Sequence, residues 1–263
     1  MTAVPGTAGR LMELYGLRAE PLYGPAGGAV YDRTCGQDTT EISEVLRLAH
    51  GITGPVLELA CGAGRLTLPL GARGRQVVAV DNSPSLLSLL KSRLRNERIS
   101  LVEADMTDFS LGRSFALIVL AAFSVTLLDT RQRASLFLRV RQHLAAGGVF
   151  YVSGIDHAET LTSGMRPAER VAVVVDDDSV ITFYLHFDGR RRILTTSVLQ
   201  EEVNSQVTAH RALFTSVRHM ISSKELADEV RAAGLEVVEI RRGEPGEQVQ
   251  FQLICRRAGA ADE

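Results

Sequence analysis

Val56-Leu57-Glu58-Leu59-Ala60-Cys61-Gly62-Ala63-Gly64 decides how the rest of the chain is read. An apolar run stops at a glycine pair, and a helical pattern follows from Arg65 to Leu70. That order predicts a buried parallel strand, a tight turn, and a helix whose N-terminus faces whatever lies in the turn. Gly62 and Gly64 lack the Cβ atoms that would hold a bulky ligand off the backbone. The free N–H groups of the following helix suit a carboxylate or phosphate. A second strand, Val77-Val78-Ala79-Val80, ends at Asp81, which lies 19 residues past Gly62. A carboxylate at the tip of that strand is placed to grip the two hydroxyls of a ribose. The site is built for a nucleoside.

Dinucleotide sites usually read G-x-G-x-x-G, whereas Thr67 stands at the third position here. A pyrophosphate would also be repelled by Glu58. The stretch Glu58 to Gly64 instead resembles the first motif of the class I S-adenosylmethionine-dependent methyltransferases, an acid followed by small-x-Gly-x-Gly. Three further pieces extend the resemblance: Asp81, Asp105-Met106, and the turn Leu144-Ala145-Ala146-Gly147-Gly148-Val149. It spans roughly residues 50 to 155, and four ordered motifs are far more specific than one glycine pair. The resemblance implies a Rossmann-like, doubly wound, mostly parallel α/β sheet of about seven strands. It also implies S-adenosylmethionine as cofactor, S-adenosylhomocysteine as product, and no metal. By the same resemblance the methionine end lies at the loop with Glu58, Ala60, Cys61, Gly62 and Gly64, and the ribose at Asp81, with Asn82 and Ser83 as further cofactor-binding candidates. The adenine falls at Asp105 and Met106, and Ala121 is a further candidate for contact with the cofactor. A Tyr-Asp pair ahead of the preceding helix often covers the methionine end in such enzymes. Tyr31 is the candidate here, and Arg33 is either a partner for the cofactor carboxylate or a solvated charge.

The 263 residues suffice for one α/β domain with an insertion, or for one and a half domains. A 45% hydrophobic and 23% charged composition is that of a globular protein. The formal net charge of −2 gives no general attraction to nucleic acid or anionic membrane. Only Lys91 and Lys224 of the 29 basic residues are lysines, which reads as a base-composition bias. Cys35, Cys61 and Cys255 are too scattered for a disulfide framework or a zinc site. No signal sequence or membrane-length apolar run is present, so the expected location is cytoplasmic.

The pattern divides the chain into an N-terminal arm or lid (1–37), a cofactor-binding core (38–155 and 221–257), an inserted antiparallel subdomain (156–220) and a tail (258–263). Asp38-Thr39-Thr40-Glu41 has capping-box spacing ahead of a helix carrying Ile42, Val45, Leu46 and Leu48. Ser83-Pro84 opens another helix. Phe115 to Ala121 reads as a central strand. The helix opened by Thr130 turns Arg131, Arg133, Arg139 and Arg141 mostly outward and ends at a Gly147-Gly148 cap. Strands are expected at 171–175, 180–187, 193–203 and 211–220, with Asp188-Gly189 as a hairpin turn. A capping box Ser222 to Glu225 then begins a helix to Ala233, ended by Gly234, and a closing hairpin follows.

Methyl transfer from a sulfonium is an in-line displacement, and alignment of the nucleophile can be worth about 7–11 kcal/mol. An amine need only be neutral and aimed, while a hydroxyl usually needs a base or a metal. The acceptor pocket is expected over the ends of the fourth and fifth strands. Phe123 is its candidate wall, Asp156 a candidate to steer a cationic amine, and His157 a candidate proton acceptor; Tyr31 joins these two as a candidate catalytic residue. Cys61 reads as a small packing residue. An antiparallel insert at this point resembles amino-sugar N,N-dimethyltransferases and daptide-type peptide amine methyltransferases, so the expected reaction is N-methylation of a small amine or peptide amine. O-methylation of a hydroxylated metabolite is the near alternative. An NAD(P)-dependent reductase and a non-catalytic nucleoside-binding scaffold are the more distant ones. The expected partner is a small-molecule or peptide substrate, with a homodimer possible and nucleic acid and membrane excluded.

Overall fold

The computed structural model describes residues 3–35, 39, 41–95, 97–156, 168–176, 178–202, 210–243 and 249–259. Helix α1 (Gly6–Leu14), strand β1 (Ala19–Pro21) and α2 (Gly27–Cys35) come first. An alternating stretch follows: α3 (Ile42–His50), β2 (Val56–Leu59), α4 (Thr67–Ala72), β3 (Val77–Asp81), α5 (Pro84–Arg93) and β4 (Ile99–Glu103). It continues through β5 (Phe115–Leu120), a 3-10 turn (Ser124–Leu127), α6 (Thr130–His143) and β6 (Leu144–Asp156). Four longer strands come next, β7 (Ala168–Asp176), β8 (Ser179–Asp188), β9 (Ile193–Glu202) and β10 (Arg211–His219). Helix α7 (Ser223–Ala232), β11 (Leu235–Arg242) and β12 (Val249–Arg257) close the chain. The chain divides into two units, Gly36–His157 with Ile221–Glu263, and Met1–Cys35 with Ala158–Met220.

The first of these units holds a seven-stranded sheet in the order β11-β12-β6-β5-β2-β3-β4. Strands β2 to β6 run parallel, and β12 and β11 add antiparallel pairings at one edge. Every residue of β2 and β3 is buried, because helices cover both faces of the sheet. Alternate residues divide between two cores. Leu57, Val80, Ile118 and Phe150 meet Leu136, Phe137 and Val140 of α6 and Leu226 and Val230 of α7. Val56, Val77, Leu117 and Tyr151 meet Val45 of α3, Leu70 of α4 and Leu90 of α5. Each such aliphatic or phenyl side chain contributes about 1.5–3 kcal/mol by leaving water.

Side-chain caps explain three helix starts. Ser83 accepts the Leu86 N–H with Pro84 in the first turn of α5. Asp129 and Gln132 form a capping box on α6, as Ser222 and Glu225 do on α7. The box expected at Asp38 to Glu41 is corrected: Asp38 lies outside the described residues, and Glu41 directly precedes α3 at φ +70 with no capping bond. Its side chain is engaged by distant residues instead. Helix α4 begins at Thr67 rather than Arg65, after a series of turns.

Two further expectations change. Gly147-Gly148 does not cap α6, since β6 begins directly at Leu144. The glycines serve an irregularity in the β5–β6 pairing, where the register moves from Phe115↔Leu144 to Leu117↔Val149 and Gly147 takes φ +69. Arg133 is buried rather than solvated, and bonds Glu229 of α7 twice, at 2.6 and 2.8 Å.

The second unit is a five-stranded sheet, β1-β10-β9-β8-β7, antiparallel except for β1 against β10. Strands β7 to β10 were legible from sequence, to within a few residues at their ends; β1 was not. The turn after β8 holds four residues, 189–192, between the paired Asp188 and Ile193. The Asp188 carboxylate accepts the Arg190 and Arg191 N–H groups there, replacing the expected two-residue hairpin. Ala8 of α1 packs on one face with Tyr184, Leu199 and Leu213. Leu22 and Val30 pack on the other with Ile181, Val198 and Phe214. The N-terminal segment thus packs on both faces of the insert's sheet. Among the described residues no helix is long and apolar enough to cross a membrane.

Candidate active site

At the carboxyl end of β2 the backbone takes positive φ at Ala60 (+53°), Gly62 (+55°) and Gly64 (+95°). A Cβ on Gly64 would sit 2.3 Å from Leu90 Cδ1, so this glycine lets α5 approach the loop. A Cβ on Gly62 would meet no protein atom within 4 Å, which leaves its backbone open to a ligand. Asp81 ties this loop to the end of β3. Its Oδ2 accepts the Gly62 N–H at 2.8 Å, and its Oδ1 accepts the Ser83 N–H at 2.9 Å. Burial raises the Asp81 carboxyl above the usual range, and the backbone N–H groups of Gly62, Ser83 and Asn82 work against that rise. Asn82 is exposed and Ser83 is buried under its cap bond. Burial beside Glu58 and Asp81 pushes the Cys61 thiol far up, which keeps it unreactive.

Glu58 lies inside β2 with 4% exposure, and Thr67 Oγ1 donates to its Oε2 at 2.5 Å. Burial pushes Glu58 up to about 8, against the opposing pull of Thr67 and Arg65. A buried acid in that state is a strong receptor for a cation, which would draw it back to the carboxylate.

The carboxyl end of β5 is shaped by contacts that the sequence reading missed. Ala122 and Phe123 both hold positive φ, +54° and +59°. The Ala122 N–H donates to Glu41 Oε2 at 2.9 Å, and the Phe123 N–H to Ser153 Oγ at 3.2 Å. Tyr151 OH donates to the other Glu41 oxygen at 2.8 Å, and Arg65 reaches Glu41 at 3.4 Å. Burial, with Glu41 and Glu44 alongside, lifts the Tyr151 hydroxyl well above the ordinary phenol range. Only an acid beside an apolar helix and a lone tyrosine in a buried strand hinted at this network.

Other candidates fall as follows. Asp105 Oδ1 accepts both the N–H and the hydroxyl of Thr107 at 2.7 Å, and Met106 packs against the core after β4. Ala121 is buried at the end of β5. Asp156 accepts Ser223 Oγ at 2.9 Å and the Ser223 N–H at 3.3 Å, so its carboxylate anchors the start of α7. His157 lies outside the described residues. Tyr31 and Arg33 precede α3 as expected, but lie inside a helix of their own, α2, in the other unit. Tyr31 meets Tyr23 edge-on at 4.9 Å, and Arg33 is exposed in the last turn.

The geometry agrees with comparisons against known proteins. A family model described as a methyltransferase domain matches residues 56–148, the span from β2 into the first residues of β6. The cypemycin N-terminal methyltransferase of a Streptomyces species is 25% identical over 232 residues, covering 83% of this chain and 92% of that protein. The chain is a class I S-adenosylmethionine-dependent methyltransferase. The methyltransferase also superposes on solved structures of this kind. The CcbJ methyltransferase of Streptomyces caelestis matches with a TM-score of 0.76 at 22% identity, over 92% of this chain and all of that one (100%). The glycopeptide N-methyltransferase MtfA, crystallised with S-adenosylmethionine, gives 0.56 at 27% identity over 83% and 93%. In this methyltransferase the residues brought together from sequence are Glu58, Ala60, Cys61, Gly62, Gly64, Asp81 and Ser83, within and just after the adjacent strands β2 and β3.

Proposed function

We propose that this methyltransferase transfers a methyl group from S-adenosylmethionine to an amine nitrogen of a small molecule or a natural-product peptide. The observation that carries the choice of nitrogen is the cypemycin N-terminal methyltransferase, whose similarity runs through 83% of the chain rather than the cofactor region alone. The glycopeptide N-methyltransferase, similar over 83% of the chain, supports the same choice.

The donor set fits the cofactor. Gly62 offers open backbone, Asp81 a carboxylate fixed by two N–H bonds, and Glu58 a buried acid suited to a cation. In this reading Asp81 holds the ribose hydroxyls, the loop from Glu58 to Gly64 the methionine end, and Asp105 with Met106 the adenine. Bound there, S-adenosylmethionine supplies an electrophilic methyl on a sulfonium. The chain's share is to hold that methyl in line with the acceptor and to exclude water, with Ala121 and Phe123 beside it. An amine acceptor that arrives neutral needs no dedicated base. Asp156 is better placed as the anchor of α7 than to steer a cationic amine.

Calorimetric titration with S-adenosylmethionine, S-adenosylhomocysteine and NADH is the first test, and tight binding of NADH alone would sink the reading. Incubation with labelled S-adenosylmethionine and matched panels of amines, N-terminal peptides and phenols is the second. Label on nitrogen is expected; label on oxygen alone would replace N- by O-methylation.

A further inference from the structure

Among the described residues, five other than glycine hold a positive φ: Glu41, Ala60, Ala122, Phe123 and Arg192. Four of these gather at one place. Ala60 follows β2, Ala122 and Phe123 follow the adjacent β5, and Glu41 is bonded to Ala122. Such conformations persist only where surrounding contacts fix them, and they concentrate at functional sites. Here the fixing contacts are visible. Glu41 Oε2 takes the Ala122 N–H, and Ser153 Oγ takes the Phe123 N–H. Tyr151 and Ser153 stand two residues apart on β6, so their side chains share one face of the sheet. Tyr151 OH fills the second oxygen of Glu41 and also reaches Glu44, which bonds Arg241 at 2.8 Å.

We propose that Glu41, seated on Tyr151, is a positioning residue for methyl transfer: its carboxylate fixes the Ala122–Phe123 turn that borders the transferred methyl. The inference rests on the methyltransferase reading above and adds a residue that the sequence motifs do not contain. Its side chain is 2% exposed and both oxygens are already bonded, so it does not exchange protons with a substrate. Ligands of open parallel sheets lie beyond the carboxyl ends of the strands, where this turn stands. A shift of the turn would misaim the acceptor without removing any group that binds the cofactor.

Glutamine tests the hydrogen bond apart from the charge. In Glu41→Gln the amide oxygen still accepts the Ala122 N–H, and the amide nitrogen donates to the Tyr151 oxygen, which retains its own proton for Glu44. Glu41→Ala loses both contacts. Hydrogen exchange of the 120–125 segment, S-adenosylhomocysteine affinity, and kcat and KM on an amine from the panel are measured for both variants and for Tyr151→Phe. In Glu41→Ala, exchange at Ala122 is expected to quicken about tenfold, the effect of one lost hydrogen bond. Its kcat is expected to fall about 10- to 100-fold, the size of a misaimed acceptor, with cofactor affinity within about threefold. Glu41→Gln recovers most of both losses, and Tyr151→Phe falls between.

Wild-type exchange in Glu41→Ala would overturn the proposal. So would a Glu41→Gln variant as impaired as Glu41→Ala, because charge and not position would then matter. If Glu41→Ala fails to fold, Glu41→Gln and Tyr151→Phe decide: Tyr151→Phe must quicken exchange at Ala122 beyond Glu41→Gln, and equal exchange in the two overturns the proposal. If the wild type methylates no amine on the panel, the proposed function falls. The exchange and affinity measurements need no acceptor and still decide the role of Glu41.

Discussion

Thr67 Oγ1 donates to Glu58 Oε2 across 2.5 Å, joining the first turn of α4 to the middle of β2. A dinucleotide motif would place a glycine at Thr67 to let helix and strand close together. Here a hydroxyl occupies that place and satisfies a buried acid that a pyrophosphate would repel. The pair therefore accounts for both departures from the dinucleotide pattern, and it makes the loop receptive to a cation.

Glu58 should make both stability and cofactor binding depend on pH. Its folded-state value is pushed up to about 8, while the unfolded chain releases the same proton near 4.5. Folding thus takes up a proton between those values, and stability falls as pH rises through that window. Urea midpoints measured between about pH 5 and about pH 8 should decline in the wild type and flatten in Glu58→Gln. A cationic ligand favours the carboxylate, so S-adenosylmethionine should bind more tightly as pH approaches about 8 and release protons below it. Calorimetry in two buffers of different ionisation enthalpy reads that proton directly; no release from the wild type would separate Glu58 from the cofactor.

Asp81→Asn should weaken the cofactor more than it weakens the fold. Its carboxylate accepts two backbone N–H groups, from Gly62 and Ser83, and an amide can accept only one of them. Losing a hydrogen bond to a charged acceptor costs about 1.5–3 kcal/mol. The Gly62 side of the loop loosens in consequence, and the ribose loses its acceptor. S-adenosylhomocysteine affinity should fall by about tenfold or more, which corresponds to about 1.4 kcal/mol or more. Thermal melts with and without ligand separate the two effects, and unchanged affinity would remove Asp81 from the ribose site.

Much of the core was legible because burial on both sides leaves a continuous apolar mark. Val56 to Leu59, Val77 to Asp81 and Phe115 to Leu120 show it, and glycines mark where the backbone must turn. Glu41 was illegible for the opposite reason. Its spacing from Asp38 imitated a local capping box, while its partners Ala122 and Tyr151 are 81 and 110 residues away. Arg133 was misjudged likewise, since a helical wheel cannot show that Glu229 waits across the core. The glycine pair at 147–148 carried a true turn signal, but the turn belongs to a strand irregularity and not to a helix end.

Gly154→Ala should destabilise the β6–β12 pairing. Phe251 lies opposite Gly154 in register, and a Cβ there would sit 2.4 Å from the ring Cζ. The phenyl is fully buried and has no room to retreat. Overpacking of this sort costs about 1–3 kcal/mol. Pairing the change with Phe251→Leu should recover part of the loss, and a double-variant urea melt no better than the single would argue against the clash.

Arg133, itself buried, and the partly exposed Glu229 form an ion pair that joins α6 to α7. Arg133 Nε donates to Oε2 at 2.6 Å and Nη2 to Oε1 at 2.8 Å, while Nη1 donates to the Leu128 carbonyl at 2.6 Å. Arg133 is 4% exposed, so removing its partner leaves a charge that water reaches only through the space Glu229 vacates. Glu229→Ala should cost about 1–3 kcal/mol, below the loss from a fully buried pair because Glu229 is partly solvated. Replacing both by apolar residues, as in Arg133→Met with Glu229→Leu, should cost less than that single change, because desolvation of the charge disappears along with the pair. Urea denaturation of the three variants orders them. A double variant less stable than Glu229→Ala would mean that the bond from Arg133 to Leu128, rather than the ion pair, holds the start of α6.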